Sequence, residues 1–158
     1  MTDKPPVSIA LDELNIPHDV FTHTGPIHSI GQAAAERNQD VSQIVRSILF
    51  RLSEDEYAMV LVAGPNQISW KALRRYFRQS RLTMATPEEV LEVTGYEIGT
   101  VSPFGLKTQV PILVDESVFA QTAISLGSGK QNTAVLMTTK NLIKALGEFD
   151  TYRFTNPL

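Results

Sequence analysis

Hydrophobic and polar positions alternate along this chain with two periods, and together they divide it into short helices and strands. Val7, Ala10, Leu11 and Leu14 are spaced i, i+3, i+4, i+7. That spacing predicts an opening amphipathic helix, stopped by Asn15 and Pro17. Asp19 to Thr22 reads as a short strand and Thr24-Gly25-Pro26 as a turn. Ser29 is placed to cap a helix through Ile30, Ala33, Ala34 and Arg37. Val45 to Arg51 and Tyr57 to Ala63 are apolar runs rich in β-branched residues, separated by the polar Ser53-Glu54-Asp55-Glu56. They predict a hairpin at the centre of a sheet.

The second half continues in the same way. A helix is predicted from about Ser69 to Arg78, then a short strand at Arg81 to Met84. Thr86-Pro87-Glu88-Glu89 starts another helix, with Thr86 as cap, Pro87 at the first helical position and Glu89 completing a capping box. Gly95 ends it. Val110 to Val114 predicts a buried strand, left through a turn at Asp115-Glu116-Ser117. Gln121 to Leu126 and Thr133 to Met137 predict a second hairpin around Gly127-Ser128-Gly129-Lys130-Gln131-Asn132. Thr139 is placed to cap a last helix, stopped by Gly147, and Tyr152 to Phe154 to form an edge strand. The expected architecture is mixed α/β over residues 1–158, one domain without the regular βαβ alternation of a doubly wound fold.

Composition narrows the chemistry. The 158 residues include no cysteine, which removes disulfides, thiolate catalysis and cysteine metal ligands. A net charge of −3 means that a polyanionic partner must meet a local basic patch. No apolar run approaches a membrane span, and Met1-Thr2-Asp3-Lys4-Pro5-Pro6 lacks the apolar core of a signal peptide, so the expected location is the cytoplasm.

Such a basic patch is legible on the helix at 69–78. Lys71, Arg74, Arg75 and Arg78 fall on one stripe, with Arg81 just beyond. Trp70, Leu73, Tyr76 and Phe77 are expected on the opposite, core-facing side. No acidic residue lies between Tyr57 and Pro87, so the stripe reads either as a phosphate-backbone contact or as a solvated face paired with distant acids. The three histidines, His18, His23 and His28, have neither helical metal spacing nor an acidic companion, and no metal is expected. Gly127-Ser128-Gly129-Lys130 resembles a phosphate loop only superficially. Ile124 and Gln131 stand where that motif needs Gly and Ser or Thr. Arg46 lies inside a strand, where an unpaired charge is costly to bury. It either snorkels outward or lines a polar pocket, and its shared face with Ile48 and Phe50 points to a pocket.

The most unusual stretch is Gly95 to Lys107, thirteen residues with three of the nine glycines and one proline. Its shape is set by its main chain. With the alanine-rich helix at Gln32–Ala35, the strand around Arg46, Thr86-Pro87-Glu88-Glu89-Val90 and Pro111-Ile112-Leu113-Val114-Asp115, this loop resembles the YbaK/ProX-type aminoacyl-tRNA deacylases. These are the editing modules also inserted in bacterial prolyl-tRNA synthetases. The resemblance runs through nearly the whole chain. Its most specific part is Gly99-Thr100-Val101-Ser102-Pro103-Phe104-Gly105 after Gly95-Tyr96.

The resemblance implies a compact mixed α/β fold around a barrel-like sheet with peripheral helices. It also implies hydrolysis, without metal or organic cofactor, of the ester joining a wrong small amino acid to tRNA. A synthetase is a further implied partner. Gly99 and Pro103 would then present backbone groups to the ester, with Thr100, Val101 and Ser102 between them. Ser47 would line the pocket, and Gly127, Ser128 and Gly129 would form its opposite wall. The family typically has lysine where this chain has Arg46, followed here by Ser47. Arginine keeps the charge but is a bulkier, planar donor. Two readings follow: an editing hydrolase, in which Arg46 acts in catalysis, or a non-catalytic member that binds tRNA, a synthetase or a small ligand.

Overall fold

The structure, a computed structural model, describes residues 4–156; Met1 to Asp3, which open the stretch tested for a leader, lie outside it. Two sheets carry the fold. The hairpin of β2 (Val45–Ser53) and β3 (Glu56–Ala63) is central to a five-stranded sheet ordered β4-β2-β3-β5-β8. Here β4 is Thr83–Met84, β5 is Ile112–Asp115 and β8 is Asp150–Tyr152. The hairpin is antiparallel, whereas β5 runs parallel to β3 and β8 parallel to β5. The second sheet is antiparallel and ordered β1 (Asp19–Thr22), β7 (Thr133–Thr138), β6 (Ala123–Gly127). Among the described residues, one isolated parallel bridge, Ile44 to Ser125, joins the sheets. The barrel-like sheet that the resemblance implies takes this form: two sheets stitched at one corner.

Strand alternation assigns the two faces of the central hairpin to different cores. Val45, Leu49, Met59 and Leu61 pack with Ile124, Leu126, Val135 and Met137 of the other sheet, and with Val7 and Leu11 of α1 (Pro6–Glu13). Phe50, Val60 and Val62 face the opposite way. They pack with Leu113, Phe154 and Leu73 of α3 (Trp70–Phe77). α2 (Ile30–Glu36) sits apart on a small cluster of Ala33, Ala34 and Ile44.

Helix ends follow their sequence signals. Ser29 caps α2 by accepting from the Gln32 N–H at 3.0 Å, and Ser69 caps α3. α4 (Pro87–Thr94) carries the full capping box: Glu89 N–H to Thr86 at 3.2 Å and Thr86 N–H to Glu89 at 2.9 Å. Three local expectations are corrected. Asp115-Glu116-Ser117 opens a short helix, α5 (Glu116–Phe119), because the Asp115 carboxylate accepts from the Ser117 N–H at 3.0 Å. Thr138, and not Thr139, caps α6 (Thr139–Leu146), while the Thr139 hydroxyl donates to the Gln121 carbonyl. Trp70 is 37% exposed, resting edge-on against Phe50 instead of entering the core.

Candidate functional site

The loop after α4 is built around Tyr96. Gly95 turns the chain with φ +82°, and the Tyr96 ring enters the first core. Its hydroxyl donates to the Phe104 carbonyl at 2.6 Å and lies 3.1 Å from that of Gly105. Burial pushes its phenol pKa up, so the hydroxyl stays a donor. Closer to the tip, the Thr100 N–H and hydroxyl both reach the Glu97 carbonyl, at 3.0 and 2.7 Å. Gly99 is exposed, with φ +90° and open space around it.

The β6 end holds this loop from behind. A Cβ built on Gly127 would lie 2.3 Å from the Val101 carbonyl oxygen and 2.6 Å from that of Thr100. Glycine is therefore required by the close approach of two main chains. Gly129 adds a hydrogen bond from its N–H to the Thr100 carbonyl at 2.9 Å, and its own backbone (φ +84°) rests on the Tyr96 ring. Among the described residues, the N–H groups of Gly99 and Val101 are left without a partner.

These elements border a cavity of about 860 Å³. Val45, Leu49, Ala85, Val90, Val101 and Leu126 supply apolar walls from the first core. One side is the edge of β2. The strand's second neighbour, β4, pairs only at Phe50 and Arg51, and the Leu49 carbonyl accepts from Ala85 N–H at 3.0 Å. By alternation, the Ser47 N–H and C=O face the same, otherwise open edge. The Ser47 hydroxyl is buried and has no partner among the described residues.

The cavity brings together Arg46, Ser47, Gly99, Val101 and Gly127. Pro103, Thr100, Ser102, Ser128 and Gly129 are not in its lining. Pro103, Thr100 and Ser102 are buried behind it, and the Ser128 hydroxyl bonds internally to the Lys130 and Thr133 carbonyls. Arg46 pairs in register with Val62 and so belongs to the sheet face of the second core, where its neighbours Ile48 and Phe50 pack. It is nonetheless part of the cavity lining. Its Nε donates to the Gly64 carbonyl at 2.9 Å and its Nη2 to that of Asn66. Burial lowers its pKa from the ordinary arginine value, and the Asp115 charge partly restores it.

One lining residue escaped sequence reasoning. Arg37 follows α2, donates Nε to His23 Nε2 at 3.1 Å and Nη1 to the Ser125 hydroxyl at 2.9 Å. His23, with a fully buried side chain, meets Glu36 through Nδ1 at 2.6 Å. Because arginine only donates, His23 Nε2 must accept, which leaves the proton on Nδ1 facing Glu36. That bond, and a second from Gln32, hold the Glu36 pKa below the usual carboxylate range. No local signal links residues 37 and 125; the folded sheet alone brings them together.

The basic stripe lies elsewhere. Lys71, Arg74, Arg75, Arg78 and Arg81 are exposed, and none makes an ion pair among the described residues. Arg78 adopts a left-handed conformation (φ 55°) and leaves the helical stripe. α3 packs on the second core, so the five-stranded sheet separates its inner face from the first core that walls the cavity.

A two-sheet α/β fold with a cavity shaped by a glycine-rich main-chain loop is the class this structure defines. Residues 24–145 match the aminoacyl-tRNA editing domain, and the chain belongs to that family. It is 33% identical over 128 residues to the uncharacterized protein YwhH of Bacillus subtilis (strain 168), covering 81% of each chain. It is 31% identical over 112 residues to a proline–tRNA ligase of Thermosipho melanesiensis, matching 71% of this chain but only 20% of the ligase. A crystal structure of a candidate trans-editing enzyme for prolyl tRNA synthetase superposes with a TM-score of 0.88 at 27% identity, over 99% of both chains. No helix among the described residues is long and apolar enough to cross a membrane.

Proposed function

We propose that this protein is a free-standing aminoacyl-tRNA deacylase that clears a tRNA mischarged with a small amino acid. The observation that carries the reading is the contact between Gly127 and the Thr100 and Val101 carbonyls. It fixes a loop whose Gly99 and Val101 N–H groups have no other partner at the border of a cavity. Such donors stabilise the oxyanion that forms when water attacks an ester carbonyl. Water adds to the carbonyl carbon, the bond to the ribose oxygen breaks, and that oxygen takes a proton. The products are the free amino acid and an intact tRNA 3′ end.

In this reading the main chain of Gly99 to Val101 binds the carbonyl, Pro103 and the buried Thr100 and Ser102 hold the loop's shape, and Gly127 to Gly129 buttress it. Ser47, with its unpartnered hydroxyl and open edge, binds the aminoacyl or ribose end. Arg46 supplies positive charge at the cavity wall, oriented by the Gly64 and Asn66 carbonyls. The exposed, unpaired Lys71, Arg74, Arg75 and Arg78 contact the tRNA backbone. Acting in trans is supported by the full-length superposition on the trans-editing structure, and the relationship to the ligase supports a synthetase as companion. The cytoplasm, where tRNA is charged, is the proposed location, and no metal or organic cofactor is invoked.

Deacylation assays against a panel of mischarged tRNAs test this. Hydrolysis well above the buffer rate for a small amino acid is expected. Background rates across the panel, with tRNA binding retained, would refute it and leave a binding protein. Arg46→Lys separates the two further. Activity appearing only in that variant would mark the natural arginine as a block to catalysis.

A further inference from the structure

The cavity lining carries two arginines and, among the described residues, no carboxylate, in a chain whose net charge is −3. Arg46 is tied to two backbone carbonyls. Arg37 is different: both partners of its guanidinium are neutral, a histidine nitrogen and a serine hydroxyl. Glu36, the adjacent acid, is turned to His23 and Gln32 and makes no ion pair with Arg37. Burial lowers the Arg37 pKa, and the charge of nearby Glu36 partly restores it. The Nη2 donors of Arg37 have no partner among the described residues. A half-buried guanidinium, braced on one side and unpaired on the other, suits an anionic acceptor that arrives with the ligand.

We infer that Arg37, braced by His23, Glu36 and Ser125, forms a phosphate subsite that holds the phosphodiester on the 5′ side of the terminal nucleoside. This rests on the proposed reading that an aminoacylated 3′ end enters the cavity. The chemistry of that ligand limits the choice. The amino acid end carries an ammonium, which Arg37 repels, and a small amino acid brings no carboxylate. The remaining anion is the phosphodiester. Placement agrees. Ser125 lies two residues from Gly127 on β6, about 7 Å along the strand. That span is comparable to the ribose between its esterified oxygen and its 5′-phosphorus. With the ester at the Gly99–Val101 loop, the phosphate falls near Arg37.

The test measures binding of adenosine 5′-monophosphate and of adenosine by calorimetry, using the whole protein. The wild type should bind the monophosphate about tenfold more tightly, the range of one charge-assisted hydrogen-bonded contact. Arg37→Gln should bring the ratio near one and leave adenosine affinity unchanged, and Arg37→Lys should keep part of the preference. Ser125→Ala removes a brace without removing the charge and should give an intermediate ratio. A wild-type ratio of one, no binding of either compound, or an unchanged ratio in a folded Arg37→Gln variant would overturn the subsite. Inorganic phosphate is the control for source: equal competition by free phosphate and by the monophosphate would reduce the site to a simple anion pocket and refute the nucleotide assignment. The two readings fail separately. A ratio that depends on Arg37 in a protein that hydrolyses no aminoacyl-tRNA leaves the subsite standing and the deacylase refuted; the reverse pattern does the opposite.

Discussion

Replacing Gly127 by alanine adds one methyl group, and its surroundings decide the consequence. The new Cβ would lie 2.3 Å from the Val101 oxygen, 2.6 Å from the Thr100 oxygen and 2.7 Å from the Thr100 carbonyl carbon. Every atom met is backbone, so no side chain can rotate away. Restoring ordinary contact near 3.4 Å requires the loop and β6 to part by roughly 1 Å. Overpacking of this kind costs about 1–3 kcal/mol. For a chain of this size, that lowers Tm by about 2–4 °C per kcal/mol. The larger effect should fall on chemistry, because a displacement near 1 Å of groups that position a reacting carbonyl costs about 100-fold in rate. Single-turnover deacylation of a mischarged tRNA, with thermal melting on the same samples, reads both. Gly99→Ala is the contrast. Its Cβ meets nothing, so its cost is only the strain of φ +90°, and Tm should fall without a steric displacement of the loop from β6. A Gly127→Ala protein with wild-type turnover and melting would refute the claim that this contact sets the loop.

Further outcomes follow from particular groups. Tyr96→Phe removes the hydroxyl that ties the loop to the Phe104 carbonyl; unfolding free energy should fall by about 1–2 kcal/mol in urea titrations, with a larger proportional loss of turnover. Thr86→Ala should cost about 1 kcal/mol by breaking the capping box, while leaving turnover unchanged. Tyr76 has its pKa pushed up to about 12 by burial, then by its hydrogen bond to Asp150 and that residue's charge. A raised folded-state pKa stabilises below the unfolded value and loses that contribution as pH rises through the folded one. Stability should therefore decline between about pH 10 and 12, and Tyr76→Phe should flatten that decline in denaturant titrations. Charge reversal at Arg74 and Arg75 should weaken tRNA binding and lower its salt dependence; unchanged binding would return α3 to an ordinary solvated face.

Much of the fold was legible because its signals are local. β1 begins and ends where the residue pattern places it, and the Thr86 capping box and the central hairpin are read from spacing alone. The misses have local causes too. Two adjacent threonines compete to cap α6, and the Asp115 side chain converts an expected turn into one helical turn. Alternation correctly divides β2 into two faces, but a strand does not say which face borders a cavity. Arg46 shares its face with Ile48 and Phe50 as expected; that face belongs to the second core, while Arg46 and Ile48 also border the cavity. The two hairpin glycines look alike in sequence, but the structure separates them: Gly127, in the lining, lies against the Val101 carbonyl, and Gly129 lies against Tyr96. The Arg37 brace was illegible because its partners lie 14 and 88 residues away. The central loop's poverty in polar side chains has a physical reading: its unpartnered groups at the cavity border are main-chain N–H groups.

The central claim is that this loop reads the ester of a wrongly charged tRNA. It is tested most directly by single-turnover deacylation of one tRNA carrying either a small non-cognate amino acid or its cognate one. Rapid loss of the non-cognate ester, sparing of the cognate one, and collapse of that difference in Gly127→Ala are expected. Equal rates for both esters at the level of buffer alone would contradict it.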